Sequence, residues 1–215
     1  MLARLPLRSD RGLRPGSLRA SDLRAFSGLL EWAGDAAVIV VGGGVGRSAV
    51  ALGLAAAAAV EPRTVALLEC DLVRPVLGAA FDLAPNPGLA GYLRAEAEPE
   101  AILQPLVPTG PATPQGGEPV ICIVAGAAVA DPRPLLDSER FRQVLSRLRS
   151  AYQLVVIDSP PFGDSPAPFF PQADVAIGCA SGAEEVGRRW RGFDGLVVTD
   201  AAASVSAPRT EGEGA

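Results

Sequence analysis

Short runs of apolar residues alternate with longer segments of helical periodicity along most of the chain. The short runs are apolar throughout rather than at every second position, which is typical of parallel strands covered by helices on both faces. These predicted strands are Ala36–Val41, Thr64–Cys70, Pro119–Ala125, Gln153–Asp158, Asp174–Ala180 and Gly195–Thr199. The predicted helices between them are Ser48–Val60, Pro134–Ala151 and Gly182–Arg191. The pattern predicts an α/β fold: a doubly wound, mainly parallel sheet flanked by helices, with a ligand site at the carboxyl ends of the strands.

The pattern stops at both ends of the chain and so divides it into three parts. Residues 1–20 are rich in arginine and irregular, and we expect a flexible, solvated arm. Residues 201–215 are small and polar and are expected to be disordered. Residues 21–200 between them form one predicted domain, and a Pro- and Gly-rich loop spans Pro105–Pro119 inside it.

A further helix is predicted at the start of this domain, over Asp22–Trp32. Its apolar residues recur at helical spacing, at Leu23, Phe26, Leu29 and Leu30. Ser21 precedes it as the expected N-cap, because a serine hydroxyl can accept a hydrogen bond from the free N–H groups of the first helical turn.

Composition and charge exclude several classes of function. The net charge of -5 over 215 residues argues against general affinity for nucleic acid. The longest apolar run, Ala49–Val60, is too short to cross a bilayer, so we expect a soluble protein. Cys70, Cys122 and Cys179 lie in or beside apolar runs, without a CxxC pair or any histidine. We expect them to be buried free thiols rather than metal ligands or a redox pair.

The segment Val38–Ser48 has the pattern of a buried strand that runs into a glycine-rich loop and then a helix. Its glycines would let backbone amides surround an anion, and they are Gly42, Gly43, Gly44 and Gly46. Ser48 stands where a hydroxyl would bind Mg²⁺. The phosphate-loop pattern GxxxxGK[ST] fails at Val41, which replaces the first glycine, and at Arg47, which replaces the lysine. One alternative is a glycine-rich turn that binds no ligand. The other is the dinucleotide fingerprint GxGxxG, which is disfavoured because Arg47 occupies the position of its third glycine.

Acidic residues end two of the predicted strands. Glu69 and Asp71 follow the second strand, and Asp158 ends the fourth. Carboxylates at these positions would lie beside a nucleotide bound by the loop, where they can hold Mg²⁺ or orient the attacking group. The alternative for each is a turn residue that caps the following segment. Acidic residues at the ends of two strands, both after a glycine-rich loop in the chain, favour a functional site.

At these residues the chain resembles the deviant-Walker P-loop NTPases that include ParA, MinD and Mrp. It most resembles their bacterial tyrosine-kinase branch, the autokinases of capsule and exopolysaccharide synthesis. The matching segments are Gly43–Ser48 for Walker A, Leu67–Pro75 for Walker A′, Asn86–Leu93 for the motif that follows it, and Tyr152–Pro161 for Walker B. The resemblance covers roughly residues 20–200 and implies a P-loop NTPase fold of the SIMIBI type.

The resemblance also implies ligands, site residues and partners. ATP or ADP would bind at Gly43, Gly44, Val45, Gly46, Arg47, Ser48 and Ala49. Mg²⁺ would be held by Ser48, Glu69, Asp71 and Asp158, and the catalytic residues would be Arg47, Asp71 and Asp158. The implied protein partners are a membrane polysaccharide co-polymerase or adaptor and further copies of the chain. The implied location is the cytoplasm, peripheral at the inner membrane through that partner.

The chain departs from the family pattern at several points. Arg47 replaces the principal lysine of the loop, Gly42 replaces the second lysine, and Glu69 replaces an aspartate. Arginine is longer and forked, so it cannot take the place of a compact ammonium without shifting the phosphates. The C-terminal tyrosine cluster of the kinases is missing, since the chain's tyrosines are Tyr92 and Tyr152.

These departures lead us to expect a nucleotide-binding, tyrosine-kinase-like protein whose phosphoryl transfer is weakened or lost. One alternative is an active ATPase or protein-tyrosine kinase that uses Arg47 in place of lysine. Another is a pseudo-NTPase scaffold that binds no nucleotide. A MinD- or ParA-like positioning ATPase is the third.

Overall fold

The computed structural model describes residues 2–5, 18, 20–61, 63–107, 119–161, 170–181 and 192–199. Within them the chain forms one sheet with helices on both faces. The strands are β1 (Leu2–Leu5), β2 (Val38–Gly43), β3 (Val65–Glu69), β4 (Gln104–Leu106), β5 (Val120–Ile123), β6 (Leu154–Asp158), β7 (Val175–Ser181) and β8 (Gly195–Thr199). The helices are α1 (Ala20–Ala33), α2 (Arg47–Val60), α3 (Leu77–Phe81), α4 (Gly88–Leu93), α5 (Arg133–Leu136) and α6 (Glu139–Ala151). Short 3-10 turns lie at Pro99–Ile102 and Phe170–Gln172.

The sheet is parallel except at one edge. Its strand order is β1-β8-β7-β2-β6-β3-β5-β4, and the pair of β4 with β5 is the antiparallel one. Strand β2 lies between β7 and β6, so the glycine-rich segment at its end emerges at the middle of the sheet. The predicted fold class, a doubly wound and mainly parallel α/β sheet, is confirmed.

Burial on both faces explains why the strands are apolar throughout. Ile39 of β2 packs with α1 and α2, whereas its neighbour Val38 packs with α4 and α6 on the opposite face. Helices α1 and α2 also pack against each other. A Cβ atom on Gly53 of α2 would lie 2.1 Å from Cε2 of Phe26 of α1, so a glycine is needed for the two helices to approach this closely.

The strand predictions are confirmed, with ends shifted by two residues or fewer. Two strands were not predicted. Leu2–Leu5 was expected to be irregular but pairs with β8, which offers it a free edge. Gln104–Leu106 lies at the start of the predicted loop Pro105–Pro119 and pairs with β5. Other parts of the predicted arm, loop, helix and tail lie outside the described residues, at 6–17, 108–118, 182–191 and 201–215.

Two predictions about helices are wrong in detail. Ser21 is not an N-cap, because α1 begins one residue earlier and contains it. The predicted helix Pro134–Ala151 is divided into α5 and α6. Ser138 has extended backbone at the break, and its side chain accepts a hydrogen bond from the N–H of Phe141 at 3.1 Å, which caps α6.

Two expectations drawn from composition can be compared with the structure. Cys70, Cys122 and Cys179 are buried and free, as predicted, and burial raises the pKa of each thiol. Among the described helices, none combines the length and the apolar character that crossing a bilayer requires.

Candidate functional site

The glycine-rich loop joins β2 to α2 and has the geometry of an anion-binding turn. Gly43 (φ 99°) and Gly46 (φ 91°) adopt the left-handed conformation that side chains disfavour. In α2, the N–H of Val50 donates to the carbonyl of Gly46 at 3.0 Å. The N–H groups of Arg47–Ala49 precede that bond, so they have no carbonyl partner within the helix. The positive end of the helix therefore faces the loop with free donors.

The neighbouring strands hold the loop in this shape. The N–H of Gly44 donates to the carbonyl of Cys179 in β7 at 2.7 Å. The hydroxyl of Thr199, buried at the end of β8, donates to the carbonyl of Val45 at 3.3 Å. A Cβ atom on Gly46 would lie 3.0 Å from that same hydroxyl. This role of Thr199 was not predicted from the sequence. The signal for it is a polar residue at the end of an apolar strand.

The carboxyl ends of β3 and β6 place three carboxylates beside the start of α2. Glu69 and Asp158 are register partners in these two strands, and Asp158 also pairs with Val41 of β2. Glu69, Asp71 and Asp158 are 0%, 1% and 0% exposed. The structure thus brings together the acidic residues that the sequence singled out. Their contacts differ, and those contacts determine what each residue can do.

Glu69 is engaged entirely by backbone amides. Its Oε1 accepts hydrogen bonds from the N–H groups of Val76 (2.6 Å) and Leu77 (2.8 Å) at the start of α3. Its Oε2 accepts one from the N–H of Ala125 at 2.9 Å, just after β5. Burial raises the pKa of Glu69, and the three amides act in the opposite direction. Glu69 therefore caps α3 and ties it to β5.

The side chain of Arg47 reaches the carboxylates that follow β3 and end β6. Its Nη2 donates to Oδ2 of Asp71, and its Nε donates to the carbonyl of Ser159 at 2.7 Å. The other oxygen of Asp71, Oδ1, accepts a hydrogen bond from the N–H of Arg74 at 3.0 Å. The side chains of Arg47 and Asp71 are 14% and 2% exposed, so this ion pair is largely shielded from water.

Asp158 is the carboxylate of the site whose oxygens accept no hydrogen bond within the described part of the chain. Both oxygens are buried, and neither has a hydrogen-bond partner among the described residues. Nε of Arg47 lies 3.7 Å from its Oδ1. Burial raises the pKa of Asp158 to about 7, although the charge of Arg47 and the nearby hydroxyl of Ser48 act to lower it. Perturbed and unpaired carboxyl groups of this kind are concentrated at functional sites.

The predicted ligands of the metal site contact protein groups in this structure. Both oxygens of Glu69 and both oxygens of Asp71 are engaged by protein donors, and Asp158 faces a guanidinium. In the described part of the chain, no group of three or more His, Cys, Asp and Glu side chains is arranged to hold a metal ion. Ser48 and Asp158 are the remaining oxygen ligands of the predicted set. A four-residue Mg²⁺ site is therefore not confirmed.

Comparison with known proteins was made by sequence and by structure. No protein-family model matches the chain. It is 28% identical over 117 residues to tyrosine-protein kinase ptk of Acinetobacter johnsonii, covering 54% of this chain and 15% of that protein. It is 30% identical over 134 residues to the putative tyrosine-protein kinase EpsB of Ralstonia solanacearum, covering 61% and 17%. The chain therefore matches less than a fifth of the length of these curated relatives.

Solved structures show the same fold. The kinase domain of VpsO superimposes with a TM-score of 0.68 at 22% identity, over 83% of this chain and 95% of that domain. The septum site-determining protein MinD of Pyrococcus horikoshii, complexed with Mg-ADP, gives 0.50 at 19% identity, over 69% and 58%. The chain thus shares its fold with the kinase domain of VpsO and with MinD. Its curated homologues are bacterial tyrosine-protein kinases, which confirms the resemblance found in the sequence.

Proposed function

We propose that the chain binds ATP or ADP through Gly43–Ala49 as a tyrosine-kinase-like protein with weakened or lost phosphoryl transfer. The shape of the loop is the observation that carries this proposal. Gly43 and Gly46 turn the backbone, and the free N–H groups at the start of α2 lie where phosphate oxygens can accept from them. MinD, which shares the fold, was crystallised with Mg-ADP.

The residues of the loop have different roles in this proposal. The phosphates lie against the residues around the turn: Gly43, Val45, Gly46, Arg47, Ser48 and Ala49. Gly44 maintains the turn instead, because its N–H is already bonded to Cys179. Asp158, with unpaired oxygens and a pKa of about 7, is suited to accept a proton from an attacking hydroxyl. Asp71 holds the side chain of Arg47.

The weakened phosphoryl transfer is inferred from the contacts of the Arg47 guanidinium. Phosphoryl transfer depends almost entirely on the placement of charge around the phosphates. The guanidinium of Arg47 is bonded to Asp71 and to the carbonyl of Ser159. Its charge is therefore shared with a buried carboxylate, which reduces what it can contribute at a γ-phosphate.

The biological setting is proposed from the resemblance alone. On that basis we propose that the chain works in the cytoplasm, peripheral at the inner membrane through a polysaccharide co-polymerase or adaptor protein, with further copies of the chain as additional partners. The matched segments are 15% and 17% of the curated relatives, which fits a kinase-like domain that works together with other segments or a separate protein.

The binding proposal predicts that Gly46→Ala weakens ATP affinity tenfold or more, which is about 1.4 kcal/mol. The new methyl group would force a left-handed alanine and meet Thr199. Gly34→Ala is the matched control, because Gly34 is also left-handed (φ 62°) but has nothing within 4 Å of its added Cβ. Calorimetric titration with ATP and with ADP measures both variants. Wild-type protein that binds neither nucleotide at millimolar concentration would instead support the scaffold alternative.

Slow turnover is expected for the wild-type protein, and Arg47→Lys is expected to accelerate it by on the order of 100-fold. A lysine cannot reach Asp71 and Ser159 with two separate donors, so its single ammonium is free to face the phosphates. Phosphate release and phosphotyrosine formation on a tyrosine-containing peptide are measured for both proteins. Wild-type turnover equal to or faster than that of Arg47→Lys would show that the protein is an active kinase or ATPase as it stands.

A further inference from the structure

The guanidinium of Arg47 lies beside carboxylates at the carboxyl ends of two strands, β3 and β6. Asp71 follows β3, Asp158 is the last residue of β6, and Ser159 comes directly after it. All three lie beside the start of α2. Nη2 of Arg47 is bonded to Asp71, Nε is bonded to the carbonyl of Ser159, and Nε is 3.7 Å from Asp158. One side chain thus bonds Asp71 and the carbonyl of Ser159 and lies within 4 Å of Asp158.

Buried carboxylates beside a bound polyphosphate need a cation between them. In this chain the cation beside the carboxylates is a side chain, the guanidinium of Arg47. The positive charge of Arg47 is within 4 Å of both Asp71 and Asp158, and the two carboxylates are 2% and 0% exposed at their side chains. The site is therefore partly neutralised before any ligand arrives.

A divalent ion would have to displace this arrangement. The oxygens it needs from Asp71 are bonded to Arg47 and to the N–H of Arg74, and Oδ1 of Asp158 faces the guanidinium. An ion bound to Asp158 without displacing Arg47 would place two further positive charges beside the guanidinium, which is electrostatically unfavourable.

Arginine and lysine differ in how they can bond Asp71 and the carbonyl of Ser159. The planar fork of the guanidinium presents separate N–H donors in fixed directions, so it can bond Asp71 and the Ser159 carbonyl at the same time. A lysine ammonium is a single compact charge on a shorter stem and does not offer two separate nitrogens in fixed directions. It would leave Asp71 open to a hydrated metal ion.

We propose that Arg47 takes the place of the divalent cation, so that the chain binds ATP and ADP with little dependence on Mg²⁺. The inference rests on the proposed nucleotide binding at Gly43–Ala49. Arg47 is the first residue of α2, so a phosphate held by the loop amides lies next to it along the backbone. Arg47 is therefore a specificity-determining residue that sets which cation accompanies the nucleotide.

The test is calorimetric titration of wild-type protein and of Arg47→Lys with ATP and ADP, each in excess MgCl₂ and in EDTA. We expect the wild-type affinity to change less than about threefold between the two buffers, and the affinity of Arg47→Lys to fall tenfold or more in EDTA. Arg24→Lys, an exposed residue of α1, is the control for the same chemical change and should behave as wild type.

The outcomes separate this inference from the proposal on which it rests. A wild-type affinity that falls tenfold or more in EDTA overturns the inference while nucleotide binding stands. Binding by Arg47→Lys but not by wild type also overturns it, because Arg47 then blocks the site instead of serving it. Absence of binding in all proteins and buffers overturns the nucleotide proposal itself.

Thermal unfolding with MgCl₂ alone gives a second readout that needs no nucleotide. The wild-type midpoint is expected to be the same with millimolar MgCl₂ as with an equal ionic strength of NaCl, whereas Arg47→Lys should show a Mg²⁺-specific rise. A Mg²⁺-specific rise in the wild type that disappears in Asp158→Asn would contradict the inference.

Discussion

Glu69→Ala is expected to lower the free energy of unfolding by about 3–5 kcal/mol, the largest effect of any single substitution considered for this chain. The carboxylate accepts hydrogen bonds from three N–H groups, those of Val76, Leu77 and Ala125. Alanine leaves these donors without a partner, and the N–H groups of Leu77 and Ala125 are buried. Each buried unpaired donor costs about 1–3 kcal/mol. Urea unfolding followed by circular dichroism measures the loss.

A matched pair of variants makes this prediction testable even if Glu69→Ala does not fold. Glu69→Gln keeps the shape but turns an NH₂ group toward backbone donors, so it should lose an intermediate amount, about 1–3 kcal/mol. Glu31→Ala, at an exposed position of α1, should change stability by less than about 0.5 kcal/mol. Equal stability of the variants at positions 69 and 31 would show that Glu69 does not hold α3 to β5.

The second large effect is a gain of stability. Asp158→Asn is expected to stabilise the ligand-free protein at pH 8 by up to about 4 kcal/mol, the free energy that corresponds to a pKa of about 7 in place of 3.8. The substitution removes a buried carboxylate that has no hydrogen-bond partner. The same change should abolish any phosphate release, since the proposed proton acceptor is lost.

The stabilisation by Asp158→Asn should depend on pH in a defined window. Below pH 3.8 the carboxyl group of Asp158 is protonated in both the folded and the unfolded chain, so it costs nothing. Between pH 3.8 and about 7 the unfolded chain releases the proton while the folded chain retains it, and the stability of the wild type falls relative to the variant. Above about pH 7 the difference is constant.

Unfolding midpoints of wild type and Asp158→Asn, measured at intervals from pH 4 to pH 8, give this curve. The exposed Asp35, at the amino end of β2, provides Asp35→Asn as a control for the change in net charge. A difference between wild type and Asp158→Asn that is flat across the range, or a variant less stable than wild type at pH 8, would contradict the account of Asp158 as a buried, unpaired carboxylate.

The features that the sequence predicts well are those set by local pattern. Strands such as β2 and β6 are continuously apolar because helices cover both of their faces. The loop after β2 needs glycine at Gly43 and Gly46, where the backbone is left-handed. Patterns of this kind are visible in a single segment, so both the fold and the position of the candidate site could be predicted.

The features that the sequence did not predict depend on residues far apart in the chain. Arg47 is drawn to Asp71, 24 residues away, and to Ser159, 112 residues away. The amide partners of Glu69 include Ala125, which is 56 residues along the chain. The direction of a side chain is decided by the groups that the fold brings beside it, and the motif alone does not contain that information.

Strand β4 has a consequence for how copies of this chain can associate. It is three residues long, runs antiparallel to β5, and has Pro105 at its centre, where no N–H is available for a further strand. Backbone pairing with a second copy is therefore disfavoured at this edge of the sheet. The edge is a poor template for growth of the sheet into fibres.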